Sequence, residues 1–423
     1  FLPLIWNAAA LAAMAWLFGR AIVSAGLGGP VAYGLALVAP FALNMPGMAF
    51  VEMEHLFHGL AALVLLLQLR LFLQDGRISP WLVAAVIIGP MFRYEALALS
   101  LLAVALVVRR GQLRAGLLLG LGALSPVVLF GLFLMGQGLD PLPSSILAKM
   151  GVSGRGFDPF YRMIWNGFVP GGIAVYAALL LAVLAFLTMD KAAARTDKPL
   201  LGLVLLAAVA HLAFGQVGWL ARYEFYVVML LGVGLILAYR HLARPLQLLV
   251  LVGALGGTAY YGWANWVIYN WNSRAIYLQQ TQMARFAATL PDEPLAANDI
   301  GRVSWALSPY VLDLWGLASP EARHLRVTAP GSQPPVGWAA QLTAAKQVRY
   351  AMIYDAWIER GIGPDWIKVA ELVTLRPRGA VGDYRVAFYA TDPAFAPALR
   401  AALQAFAPSL PPDAELTLMG SGG

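Results

Sequence analysis

Two things are scarce in this sequence: it has no cysteine, and only 12% of its 423 residues are charged. Without cysteine there are no disulfides, no thiolate-ligated zinc and no thiol nucleophile. A soluble globular domain carries roughly 25% charged residues. At half that charge and 60% hydrophobic residues, the chain has too little polar surface to stay dispersed in water, so lipid must be its solvent over much of its length. The formal charge of +7 does not indicate nucleic acid. Its Lys and Arg residues lie in short loops between apolar runs, where they set membrane orientation.

What is present is a series of apolar runs. About ten have the composition of membrane spans: 4–23, 30–43, 54–73, 80–92, 95–108, 113–137, 171–188, 199–218, 225–239 and 246–265. Under this count Arg20, Arg70, Arg77, Arg109, Arg110, Arg114, Lys191, Arg195, Lys198, Arg240 and Arg244 all fall at alternate span ends. The positive-inside rule puts those ends in the cytoplasm. An even number of spans then places both Phe1 and the C-terminal region outside, in the periplasm where the cell has one. The chain opens at Phe1 with no Met and no basic leader, which reads as a piece of a longer protein.

The texture changes near Tyr269. A polar helix is expected over 274–290, with strand-like runs at 295–297, 310–314, 350–354, 370–375 and 384–389, a hairpin loop at 379–383 and a loose tail after Pro408. The aromatic stretch WANWVIYNWN (263–272) suits the outer lipid–water interface. The expected architecture is therefore a polytopic α-helical membrane domain over 1–272 followed by a small extracytoplasmic α/β domain over 273–423. That second domain holds no Walker A, G-x-G-x-x-G or G-x-S-x-G motif.

Ionisable groups at the outer span ends are of mixed sign: Glu52, Glu54, His55, His58, Arg93, Glu95, Asp140, Lys149, Arg155, Asp158, Arg162, Arg222 and Glu224. Charge at a bilayer edge is costly unless paired or functional, so these groups are expected to converge on one outward-facing cavity. In NMPGMAFVEMEHLFH (44–58), Pro46 and Gly47 read as a loop, and Glu54, His55 and His58 open a helix. Carboxylate and imidazole at helical spacing fit a divalent cation, sugar hydroxyls, or simple capping of a helix N-terminus. No metal ligand is assigned, and a metal or other cofactor stays open. Arg93 and Glu95 suit either phosphate and sugar contact or a mutual ion pair across a helical turn. The loop 139–170 carries Lys149, Arg155 and Arg162 at headgroup level, which suits a lipid phosphate or plain snorkelling.

The order of MEH (53–55), RYE (93–95), PSSILAK (143–149), RYE (222–224), AANDIGRVSW (296–305) and VLDLWGLASPE (311–321) resembles the GT-C superfamily of membrane glycosyltransferases. It is most similar to the branch that contains the terminal β-arabinofuranosyltransferase of the mycobacterial cell wall. The resemblance implies a polyprenyl-phosphate sugar donor and transfer, at the outer face of the bacterial inner membrane, to a glycan, lipid or protein. It also implies an acceptor base, an Asp in an outer loop that would precede Phe1, so no catalytic residue is assigned here. On this reading Arg93, Lys149 and Arg222 hold the donor phosphate, while Glu54, His55, His58 and Glu95 contact sugar or acceptor. A transporter or flippase for a lipid-linked sugar is the alternative. It needs a polar path through the bilayer, and the spans hold few ionisable groups besides His211.

Overall fold

Length and apolarity dictate helices in the first part of the chain, because backbone groups in lipid must be satisfied within their own segment. The computed structural model describes residues 2–151, 158–306, 310–326, 333–375 and 377–420. The chain divides into two compact units: residues 1–132 with 159–266, and residues 133–158 with 267–423.

Among the described residues, seven helices of the chain are long and apolar enough to cross a membrane: Leu2–Ser24, Gly29–Phe50, His55–Asp75, Leu113–Gly136, Pro170–Thr188, Asp197–Phe214 and Arg244–Ala287. Three shorter apolar helices, Pro80–Phe92, Ala96–Arg109 and Phe225–His241, accompany them. By helix length and composition this is a multi-pass membrane protein. In the first unit the helix Phe225–Ala238 is buried at every position but Gly232. A helix apolar all round belongs at the centre of its unit. His55–Asp75 packs beside it, whereas Leu113–Gly136 buries only Gly116, Leu119, Ala123 and Gly131 and turns the rest of its apolar surface outward.

One expected loop is a helix. Met45–Phe50 is helical, with Pro46 in its first turn, where a missing N–H costs nothing. Gly47 is required there, since a side chain would run into Asn44 and Asn265.

The second unit holds a six-stranded mixed sheet in the order β2-β1-β3-β5-β4-β6. Its strands are β1 (Leu295–Ala297), β2 (Val311–Asp313), β3 (Tyr350–Ile353), β4 (Ile367–Thr374), β5 (Arg385–Ala390) and β6 (Ala414–Leu418). β1, β2 and β3 are parallel, and the remaining pairings are antiparallel. Strand side chains alternate between two cores. Tyr350, Met352, Val386 and Phe388 join Phe286, Leu399 and Leu403 on one face. Ala351, Ile353, Ala387 and Tyr389 join Trp338 and Trp366 on the other.

Two expectations here are corrected. The polar helix is broken: Arg244–Leu278 ends, Gln279 takes φ −117° and ψ −74°, and Gln280–Ala287 starts afresh. The tail after Pro408 is not loose, because Ala414–Leu418 adds β6 to the exposed edge of β4, Leu416 opposite Leu372.

Candidate functional site

Helix ends position the polar groups of the first unit. On the 21-residue helix His55–Asp75, the 15 residues from His55 to Arg70 separate two such clusters by about 23 Å.

Toward its C-terminal end, Arg70 donates to Asp197 at 2.8 Å and to the Ser24 carbonyl at 3.0 Å. His241 lies 3.2 Å from Asp197 and 3.0 Å from Asp190. Arg70 and Asp197 are both buried, and no buried polar side-chain atom of this cluster lacks a partner among the described residues. A buried pair this well satisfied is a structural staple.

The N-terminal end differs. Arg93 reaches it because Pro80–Phe92 ends in an extended residue, φ −152° and ψ 136°. Its Nη1 donates to Glu54 at 2.7 Å and to His55 Nε2 at 2.9 Å, and its Nη2 to Glu95 at 2.8 Å. The mutual Arg93–Glu95 pair, one of the two arrangements the sequence allowed, is therefore made. Because a guanidinium can only donate, His55 Nε2 is the acceptor and the ring proton sits on Nδ1. That buried Nδ1 has no hydrogen-bond partner among the described residues.

Tyr223 links the two arginines. Its ring lies 5.3 Å from the Arg93 guanidinium carbon and 5.0 Å from that of Arg222, with His55 edge-on at 5.7 Å. Arg222 donates Nη2 to the Tyr223 hydroxyl at 3.1 Å, and its Nη1 lies 2.9 Å from Met53 Sδ. Its Nε is buried without a partner, and no carboxylate among the described residues pairs with it. One turn deeper, the His58 ring lies 4.2 Å from that of Tyr226, tilted by 39°, and the Tyr226 hydroxyl lies 3.2 Å from His211 Nδ1. His58 Nε2 and His211 Nε2 have no partners among the described residues.

The segment that delivers Arg222 is strained. Gly218, Trp219, Leu220 and Ala221 all have positive φ, at 91°, 48°, 70° and 55°. For a residue with a Cβ this conformation costs about 1–2 kcal/mol. Such strain persists only where surrounding structure enforces it, and it concentrates at functional sites. Glu224, just beyond, turns away from Arg222. It is fully buried, accepts the Gly218 N–H at 2.8 Å, and occupies space that any side chain at Gly171 would fill. Burial pushes its carboxyl up to about 7, and its Oε1 has no partner among the described residues.

The expected residues thus sort into groups. Glu54, His55, Arg93, Glu95 and Arg222 come together, with His58 beneath them. Glu52 stays exposed in a turn with φ 57°, so it shares no helical face with His55. Arg162 approaches the Gly215 carbonyl at 3.5 Å. Asp140 belongs to the second unit, where it pairs with Arg323 and lies 3.2 Å from His324. Lys149 is in the short helix Ser144–Gly151 of that unit, but its side chain lies outside the described residues, as does Arg155. Among the described residues no group of three or more His, Asp or Glu side chains is arranged to hold a metal ion. Tyr223 and Tyr226 join the site although neither is a charged residue type. The repeated Arg-Tyr-Glu tripeptide was the available sign for the first, and nothing in an apolar run signals the second.

In the second unit, polar residues gather at the carboxyl ends of β1, β2 and β3. Asn298 exchanges two hydrogen bonds with the Tyr354 backbone, and Asp313 accepts the N–H groups of Trp315 and Ala318. These two shape turns. Asp299 accepts from Gln280 at 2.9 Å and from the Tyr354 hydroxyl at 3.2 Å, and burial raises its carboxyl above the usual range. A family model described as "Domain of unknown function (DUF8728)" matches residues 268–389. The DUF8728 match takes in β1 to β4 and all but the last residue of β5. No curated protein and no solved structure matches the chain.

Proposed function

We propose that this protein is a GT-C-like integral-membrane glycosyltransferase of about ten spans, which moves a sugar from a polyprenyl-phosphate donor to an extracytoplasmic glycan, lipid or protein. The carrying observation is the inequality of the two helix-end clusters. At the Arg70 end every buried polar side-chain atom is hydrogen-bonded, whereas the Arg93 end holds buried His55 Nδ1, His58 Nε2 and Arg222 Nε with no hydrogen-bond partner among the described residues. Buried polar groups are normally satisfied, so a set left open by the protein is met by water or by a bound molecule. Donors and acceptors mixed at one place suit sugar hydroxyls, which both give and accept hydrogen bonds.

In the transfer, the acceptor hydroxyl oxygen attacks the anomeric carbon as the bond to the phosphate oxygen breaks. The electron pair leaves with polyprenyl phosphate, and the hydroxyl proton passes to a base not assigned within this chain. Arg222, unpaired with any acid among the described residues, would meet the departing phosphate. Lys149 is a second candidate for that role. Arg93 is instead committed to Glu54 and Glu95, so its part is to hold both carboxylates, and His55, toward the sugar. The second unit lies outside the cell membrane on this reading, in the periplasm of a bacterium with an inner membrane.

Proteoliposomes carrying radiolabelled polyprenyl-phosphate pentose or hexose test this. Transfer releases free polyprenyl phosphate as label moves to the acceptor. Label that crosses the bilayer with no such release establishes the transporter instead. Neither event with any donor removes both readings.

A further inference from the structure

A second site lies at the opposite end of helix Ala96–Arg109 from Glu95. A groove of about 870 Å³ runs between Ala96–Arg109, Pro170–Thr188 and Asp197–Phe214. Its length is apolar, with Leu102, Leu106, Leu179, Val183, Leu205 and Leu206 along it. Gly202 keeps its floor open beside the Phe186 ring, which a Cβ there would approach to 3.3 Å. Arg109, Arg110 and Lys198 stand at one end.

These three cations have no counter-ion among the described residues. Lys198 Nζ rests 5.0 Å over the Phe186 ring, and Arg110 donates one nitrogen to the Arg195 carbonyl. No carboxylate among the described residues pairs with any of the three. The acids nearest in sequence are committed elsewhere, Asp197 to Arg70 and His241, and Asp190 to His241. Two of the three walls are helices long and apolar enough to cross a membrane, so the apolar length of the groove faces hydrocarbon.

We propose that this groove binds a phospholipid with an anionic headgroup. A small anion would answer the charges and leave the apolar length empty. An uncharged lipid would fill the length and leave three cations unanswered. Only an amphiphile with a negative head and acyl tails matches both, as basic pockets between membrane helices do elsewhere. The site is independent of the sugar-transfer reading.

The test titrates the purified protein in detergent with phosphatidylglycerol, phosphatidylcholine and inorganic phosphate, read by native mass spectrometry and thermal unfolding. Phosphatidylglycerol is expected to bind about tenfold or more tighter than phosphatidylcholine and to raise Tm, with no shift from phosphate alone. The combined substitution Arg109→Ala, Arg110→Ala, Lys198→Ala abolishes that preference while leaving helix content unchanged, since both arginines are exposed. Gly202→Leu, which fills the floor and touches no charge, weakens both lipids. Equal affinity for the two lipids overturns the proposal, as does an equal shift from phosphate. So does a preference that survives the triple substitution, or lipid binding unaffected by Gly202→Leu.

Discussion

The tripeptide Arg-Tyr-Glu occurs at 93–95 and again at 222–224, and the two copies do opposite things. In the first, an extended Arg93 folds back on Glu95 and also grips Glu54 and His55. In the second, four consecutive positive-φ residues aim Arg222 toward Tyr223 and Met53, while Glu224 is driven into the helical unit away from it. Identical side chains become a paired brace in one place and a cation and an acid kept apart in the other. Backbone entry angle, not residue identity, decides which.

Four substitutions would break or sharpen that contrast. On the proposed glycosyltransferase function, Arg222→Ala should reduce sugar transfer by about 10²–10³, about 3–4 kcal/mol of barrier, with little change in Tm. A fall below tenfold would assign the phosphate to another cation. Glu224→Gln addresses the buried acid. A folded-state value raised from 4.5 to about 7 favours the protonated form, so its stabilising contribution is complete below 4.5 and is lost as pH rises through 7. The loss is about 3 kcal/mol. The native protein should therefore melt lower at pH 8 than at pH 5, and the Gln variant should lose most of that difference.

Arg93→Ala removes charged hydrogen bonds to half-exposed carboxylates. It should lower stability by about 1–2 kcal/mol, measured by denaturation in detergent. Transfer would fall too, because Glu54 and Glu95 lose their anchor. Smallest of the four, Ala221→Gly relieves one left-handed residue at some cost in chain entropy, a net gain of about 0.5–1 kcal/mol. If Tm dropped instead, the strain reading of 218–221 would be wrong.

Much of the scaffold was legible. Apolar runs gave the helices, and the short continuous apolar runs YAMI (350–353) and VAFYA (386–390) marked strands buried on both faces. β6 escaped because AELTL follows a proline-rich stretch and draws its strand character from β4. The 45–50 helix escaped because Pro-Gly usually signals a turn. At the site, ionisable residues flanking apolar runs were visible one by one. Their pairing was not: Glu54 and Arg93 are 39 positions apart, and no local pattern encodes such a contact. Nor does Trp-Leu-Ala announce a left-handed path, since each residue ordinarily avoids it.

The helix Ala396–Phe406 and β6 both lie beyond Tyr389, the last residue of the DUF8728 match. Leu399, Leu403 and Phe406 roof the core around Phe286 and Phe388, and β6 occupies the hydrogen-bonding rim of β4. A soluble piece cut to the matched segment would bare that core and present an unpaired template for strand addition. Domain excision intended for crystallisation or binding assays should accordingly run to Leu418.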